Sequence, residues 1–411
     1  MKTSALDQFH YGWIICLTGS AVLFACLGLG RFSLGMLLPS MGVSLHLNYS
    51  QMGLISTGNF IGYMISVVLA GMIVGFLGAR RTITTGLIIV AISMIGISRS
   101  TNFQGVLALY LATGIGTGLA NVPLMGLVSH WFSKDTRGRA AGIMVSGNGI
   151  GIVFTGFFIP WVSLNSGGEG WRIGWLTIGV ISAIISVISV LLLRNNPREK
   201  GLLPLGQKSN APVFEHSKLQ KKFKKNLRTM IHIGAIYFLF GATYVVYATF
   251  IITAMVNERH FGEDTAGRFW AVVGGLSIFS GPLFGWLSDK LGREIGMIIV
   301  FILFTISYAL AAANLSNPFL YASIVIFGIV VWSIPTIMSA AVGDYLAPEQ
   351  AVKAFGFITL FFGVGQIVGP ALAGYTADIS GNFNMAFWLC SILTTLAVFL
   401  AYFLGQPNDG Q

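Results

Sequence analysis

Long apolar runs, each broken by a short cluster of charged or turn-forming residues, fill the chain from residue 11 almost to its end. Twelve are predicted, at about 11–40, 50–76, 82–98, 103–130, 138–164, 172–193, 229–256, 266–288, 295–313, 317–343, 352–378 and 383–404. A helix crosses the hydrocarbon core of a bilayer with roughly 20 apolar residues, satisfying its own backbone hydrogen bonds as it does so. Each run therefore reads as a membrane-spanning helix. Several exceed the minimum length, so tilt or kinks are expected. Pro39, Pro123, Pro160, Pro282, Pro335 and Pro370 mark candidate kinks or ends.

Composition agrees with the pattern. Hydrophobic residues make up 55% of the chain and charged residues 9%, too little charge to cover the surface of a soluble domain. The 52 glycines suit closely packed membrane helices. Met1–His10 is a short tail, not a signal peptide, because the apolar run after it is too long for a signal core. Cys16, Cys26 and Cys390 fall inside spans without metal-type spacing and read as small packing residues.

Charge sets the orientation. The net charge of +10 would suit nucleic acid, but its placement argues for a membrane instead. With both termini in the cytoplasm, Arg99, Arg172, Arg259 and Arg268 fall outside and Arg31 lies within span 1; every other Lys and Arg falls inside. That is the positive-inside pattern. The densest basic run, Lys221-Lys222-Phe223-Lys224-Lys225, lies in a link at 194–228. Either a basic amphipathic helix on the anionic inner leaflet or a solvated connector fits it. The link divides the chain into an N-terminal unit, 1–193, and a C-terminal unit, 229–411, of six spans each.

The two units repeat. A shift of 214 residues, from Gly71 to Gly285, also lays Arg139 on Lys353, Ala140 on Ala354 and Gly142 on Gly356. It further lays Gly149 on Gly363 and Gly151 on Gly365. The expected fold is an all-α membrane protein: twelve transmembrane helices in two six-helix bundles related by pseudo-two-fold symmetry. A substrate site is expected between the bundles near the midplane.

Two loops carry a family resemblance. Gly285-Trp286-Leu287-Ser288-Asp289-Lys290-Leu291-Gly292-Arg293 has nearly the form Gly-x-x-x-Asp-(Arg/Lys)-x-Gly-x-(Arg/Lys). A degraded copy at Gly71–Arg81 has Gly75 and Phe76 where the acid and base belong. These loops resemble the signature of the major facilitator superfamily of transporters. The opening Tyr11-Gly12-Trp13, together with Trp131–Lys134, Arg137–Gly142 and Gly147–Gly151, is similar to bacterial relatives of the monocarboxylate porters. That resemblance implies a monomeric, multi-pass transporter of the bacterial inner membrane. It would move a small organic anion such as a monocarboxylate by alternating access, often with a proton, and with no cofactor. One departure stands out: Gly281 occupies the place where those porters carry an arginine in helix 8. For the loops, the resemblance implies gating through charge contacts with neighbouring helix ends by Asp289, Lys290 and Arg293, with Arg80 and Arg81 in a weaker first copy. Asp344, at the inner end of span 10, is the expected partner of a nearby base.

Arg31 is the lone basic residue well inside a span. Arginine at a helix centre costs roughly 2.5–3.5 kcal/mol, a cost that a bound carboxylate or sulfonate offsets through paired hydrogen bonds. The bland alternative is snorkelling to the outer interface near Pro39. Tyr63, Asn121, Asn148, Tyr244, Tyr247, Trp332 and Gln366 lie at similar depths. Each is expected to face either a neighbouring helix or the substrate cavity. No Asp or Glu lies deep in a span, so proton coupling would rest on the substrate or on His232. An efflux protein for amphipathic compounds is the alternative within transport. A membrane enzyme or receptor is disfavoured, since no nucleotide-binding, zinc-protease or serine-nucleophile motif is present and no link can hold a soluble domain.

Overall fold

The computed structural model describes residues 10–206, 227–345 and 348–404. The basic run Lys221–Lys225 and both termini lie outside the described residues. The described chain is helical, and its one β-type pairing is an isolated bridge between Phe132 and Leu205.

The helices follow the apolar runs closely. The first runs as α1, Gly12–Leu23, a π-helical stretch Phe24–Leu29, and α2, Ser33–Ser44. Next come α3 (Tyr49–Ser98), α4 (Phe103–Trp131), α5 (Lys134–Ser166) and α6 (Gly170–Leu192). After the central link come α7 (Leu227–Thr253), α8 (Glu263–Leu291), α9 (Arg293–Ala312), α10 (Asn317–Val330) and α11 (Ser333–Tyr345). The last two are α12 (Pro348–Ser380) and α13 (Asn384–Tyr402). Among the described residues, 11 continuous helical segments are long and apolar enough to cross a membrane.

One segment is too long for a single crossing. At 50 residues α3 would reach about 75 Å, against a hydrocarbon core of about 30 Å. It breaks at Gly78, where φ is 77° and ψ 159°, a conformation that side chains disfavour. Contacts with α4 give the direction of each part. Gly114 packs on Asn59 and Gly118 on Ser66, so the first part runs parallel to α4. Gly86 packs on Gly116 and Gly96 on Leu109, so the second part runs antiparallel. The chain therefore reverses at Gly78. Gly292, at the equivalent position of the second loop, takes nearly the same backbone with φ 97° and ψ 152°.

Residues 10–206 and 227–404 meet along a seam formed mainly by α3 against α12 and α5 against α8, with α2 against α7. Packing along this seam is graded. Gly53 lies against Pro370 and Gly374, and a Cβ at Gly156 would sit 2.6 Å from the Gly267 carbonyl oxygen. Those contacts belong to the end remote from the basic loops. Toward the basic end, Gly71, Gly75, Gly142 and Gly356 have nothing within 4 Å of an added Cβ. The seam is sealed at one end and parted at the other.

Candidate functional site

Arg31 occupies the turn between the π-helical stretch and α2, where regular helical hydrogen bonding lapses. Gly30 donates to Ala25, while Arg31 and Phe32 both donate to the Leu27 carbonyl. The side chain points inward and is 9% exposed, so the snorkelling alternative does not hold. Its Nε donates to Asn59 Oδ1 at 3.4 Å, and its guanidinium lies 4.3 Å from the Tyr63 ring centroid and 4.7 Å from that of Phe60. Asn59 in turn donates to the Tyr110 carbonyl at 3.1 Å, and the Tyr110 hydroxyl donates to the Arg31 carbonyl at 2.9 Å. This closed set of bonds fixes the guanidinium in place. Nη2 is buried without a hydrogen-bond partner, and no ion pair involving Arg31 exists among the described residues.

Beside the guanidinium is a small cavity with about 10 Å³ for the centre of a water-sized sphere, room for about one water molecule. Ser56 and Thr249 close it on the sealed side, their hydroxyls 3.3 Å apart across the seam.

The second segment supplies the facing groups. Tyr244 stacks on Phe240 and Phe362, and its hydroxyl accepts from Gln366 Nε2 at 2.5 Å. Tyr63 is held likewise, accepting from Asn121 Nδ2 at 2.9 Å. Because each phenol accepts from an amide, its own hydrogen is left to donate elsewhere. Tyr244 lies within electrostatic reach of both Arg31 and Tyr63. Trp332 sits in the break between α10 and α11, its ring 5.5 Å from Phe32 and 5.9 Å from Tyr244. The structure thus brings together Arg31, Tyr63, Asn121, Tyr244, Trp332 and Gln366.

Two other residues of similar depth are placed elsewhere. Tyr247 bonds the Ser323 hydroxyl at 2.7 Å and stacks on Phe327 at 4.2 Å, packing α7 onto α10. Asn148 is buried where α5 crosses the π-helical stretch at Gly28, with its Oδ1 unpartnered. Of the residues named from sequence, Arg31 alone lines the cavity itself; Tyr63 stands against its guanidinium, and Tyr244 and Trp332 join through Phe32.

Comparison with known proteins identifies the scaffold. The MFS_4 profile, described as "Uncharacterised MFS-type transporter YbfB", matches residues 23–402. The chain belongs to the MFS_4 family. Its members are transporters rather than enzymes, so this is a multi-pass membrane transport protein. The chain is 22% identical to the hexuronate transporter of Bacillus subtilis, over 92% of each protein. It is 22% identical to a probable sulfoacetate transporter of Cupriavidus necator, over 91% of this chain and 89% of that one. In fold it is similar to a bacterial homologue of the human lysosomal transporter Spinster, described as inward-facing and unoccupied. That likeness has a TM-score of 0.76 at 15% identity and covers 96% and 97% of the two chains.

The signature loop of this MFS_4 chain forms an ionic cluster at the basic end. Arg293 pairs with Asp289 one turn away, donates to the Ser288 hydroxyl at 2.9 Å and reaches Asp344 on α11 at 2.6 Å. It therefore joins the ends of α8, α9 and α11. Lys290 instead lies over the Trp286 ring at 4.2 Å. In the degraded copy, Arg80 Nε donates to the Val190 carbonyl at 2.9 Å, and its backbone N–H is accepted by Asn195 Oδ1. The Arg80 guanidinium thus goes to a backbone carbonyl rather than to an acid, while Arg81 is exposed. Gly281, in the porter arginine's place, packs against Thr336.

A contact at the sealed end escaped the sequence reading. The Asp378 carboxylate accepts from the Tyr49 and Ser50 backbone N–H groups at 2.8 and 3.0 Å, capping α3 across the seam. The Tyr49 ring lies 4.7 Å from that of Phe383, whose N–H is held by Glu258 at 2.9 Å. A carboxylate near a span end looks like ordinary interfacial charge, so nothing in the sequence singles out Asp378.

Proposed function

We propose that the protein is a secondary transporter of a small organic anion, built as twelve crossings in two six-helix units. The reversal at Gly78 supports counting α3 as two crossings, and the matched backbones at Gly78 and Gly292 support the repeat. The units would be 1–193 and 229–411, joined by the basic link 194–228. The concentration of Lys and Arg at the parted end supports placing that end, and both termini, in the cytoplasm. The conformation is then inward-open, with Asp378 of α12 holding the outer side shut through its bonds to the α3 N-terminus.

One observation carries the substrate class: a buried guanidinium with an unsatisfied Nη2 and no acid beside it. A buried cation in that condition is costly, and an anionic ligand supplies the missing charge and acceptor. Two of the relatives are named for hexuronate and sulfoacetate, both organic anions, which favours the same class here. The narrower monocarboxylate reading rests on the porter-like Trp131–Gly151 stretch. With Gly281 in the helix 8 position, it would depend on Arg31 alone. All described acids lie at or near helix ends, so a co-transported proton would travel on the substrate or through His232, whose Nε2 is 2.8 Å from the Leu400 carbonyl.

The test is binding and uptake by the purified, reconstituted protein. Arg31→Gln should weaken anion binding by ~2–5 kcal/mol, at least roughly thirtyfold, with the fold retained. The alternative, efflux of amphipathic compounds, draws on the rings of Tyr237, Phe240, Tyr244 and Phe362 stacked at 4.5–6.2 Å. On that reading a hydrophobic neutral substrate is carried and Arg31→Gln changes little.

A further inference from the structure

The same site also specifies how much charge its ligand carries, an inference that rests on the anion reading above. The 214-residue shift lays Val245 on Arg31 and Thr249 on Gly35. All four residues line the cavity beside Arg31, so positions related by the repeat face each other across it. In a pair of equivalent helices these are the two places from which a side chain most directly addresses a ligand on the axis. One holds a guanidinium and the other an isopropyl group. Around them stand neutral residues: Ser56, Asn59 and Phe60 from α3, Tyr110 from α4, and Ala248 from α7. The facing phenols of Tyr63 and Tyr244 each accept from an amide, which leaves their hydrogens to donate to a ligand without adding charge. The other described cations lie toward helix ends or in links.

We infer that the site takes a monovalent anion, a single carboxylate or sulfonate on a neutral body, and discriminates against divalent anions such as phosphate monoesters. One guanidinium balances one negative charge. A second charge, lying toward Val245 and Ala248, would be desolvated with no counter-charge, a penalty of several kcal/mol. Asn59 leaves the acceptor position at Nη2 to the ligand while steadying Nε, which suits a single anionic head. Nitrogen–oxygen geometry alone would not separate carboxylate from sulfonate here. Charge does the separating.

The experiment is a thermal-shift and calorimetric titration of the full-length purified protein in mildly alkaline buffer. The probes are two monovalent anions, glucuronate and methanesulfonate, and two divalent ones, glucose 6-phosphate and sulfoacetate. Wild type should bind a monovalent probe at least about tenfold more tightly than either divalent one. Arg31→Gln should abolish that binding, and Val245→Arg should shift the preference toward the divalent probes, with Val245→Leu as the packing control. If Val245→Arg does not fold, the wild-type ratio still decides. Divalent probes that bind wild type as tightly as monovalent ones, in an Arg31-dependent way, would overturn the monovalent assignment and leave the organic-anion reading standing. Absence of any Arg31-dependent binding across the four probes would remove the anion reading itself.

Discussion

Arg31 shows how much a single residue can announce in sequence. A lone arginine in an apolar run is conspicuous because a buried charge is costly, and the structure keeps it buried with Nη2 unpartnered. What the run could not reveal is its company. Asn59, Phe60 and Tyr110 come from α3 and α4, and none stands out among the polar and aromatic residues of spans 2 and 4. Tyr63 and Tyr247 look equivalent by depth, yet one faces Arg31 and the other bonds Ser323, because depth along a helix says nothing of its rotation. Gly78 makes a cleaner prediction. Its positive φ with extended ψ costs an alanine roughly 1–3 kcal/mol, so Gly78→Ala should lower the thermal midpoint. Gly75→Ala, on the same turn with nothing within 4 Å, should leave it unchanged. Equal midpoints for the two would show that the reversal does not depend on that glycine.

At the scale of elements, the runs gave the helices and the prolines part of their irregularity. Pro335 lacks an N–H and crowds the carbonyl four residues earlier, at Val331, where α10 gives way to α11. At the same break the Trp332 N–H donates to the Ser280 hydroxyl at 3.0 Å, a repair supplied by α8 that spacing along span 10 cannot foretell. The interruption at Arg31 has no proline and was not expected. It lies at a π-helical stretch, a form common at functional sites. Removing the repair should be felt twice. Ser280→Ala is expected to cost about 1–3 kcal/mol in stability by orphaning a buried donor. It should also loosen Trp332 enough to weaken ligand binding, read by the same titrations. A variant as stable as wild type would mean that another group or water takes over the bond.

For the whole molecule, the seam sets the state. Sealed contacts lie beyond Arg31 and open space lies toward the basic end, with Asp378 clamping the α3 N-terminus on the sealed side. A carboxylate capping backbone N–H groups is worth ~0.5–2 kcal/mol, enough to move a two-state population severalfold. Asp378→Ala should therefore shift the protein toward the opposite, outward-open arrangement. Spin labels at Phe76 on α3 and Trp286 on α8, both exposed at the parted end, should report a shorter distance in that variant. An unchanged distance distribution would demote Asp378 to an ordinary helix cap.

The sequence by itself determined the helices, their order and the presence of one buried cation. Those properties are written in hydropathy, and a bilayer enforces them segment by segment. Only the tertiary structure decided which face of each helix turns toward Arg31, that Val245 stands opposite it, and which end of the seam is shut. These depend on rotations and contacts between segments far apart in the chain, and an apolar run has the same hydropathy whichever way it is turned.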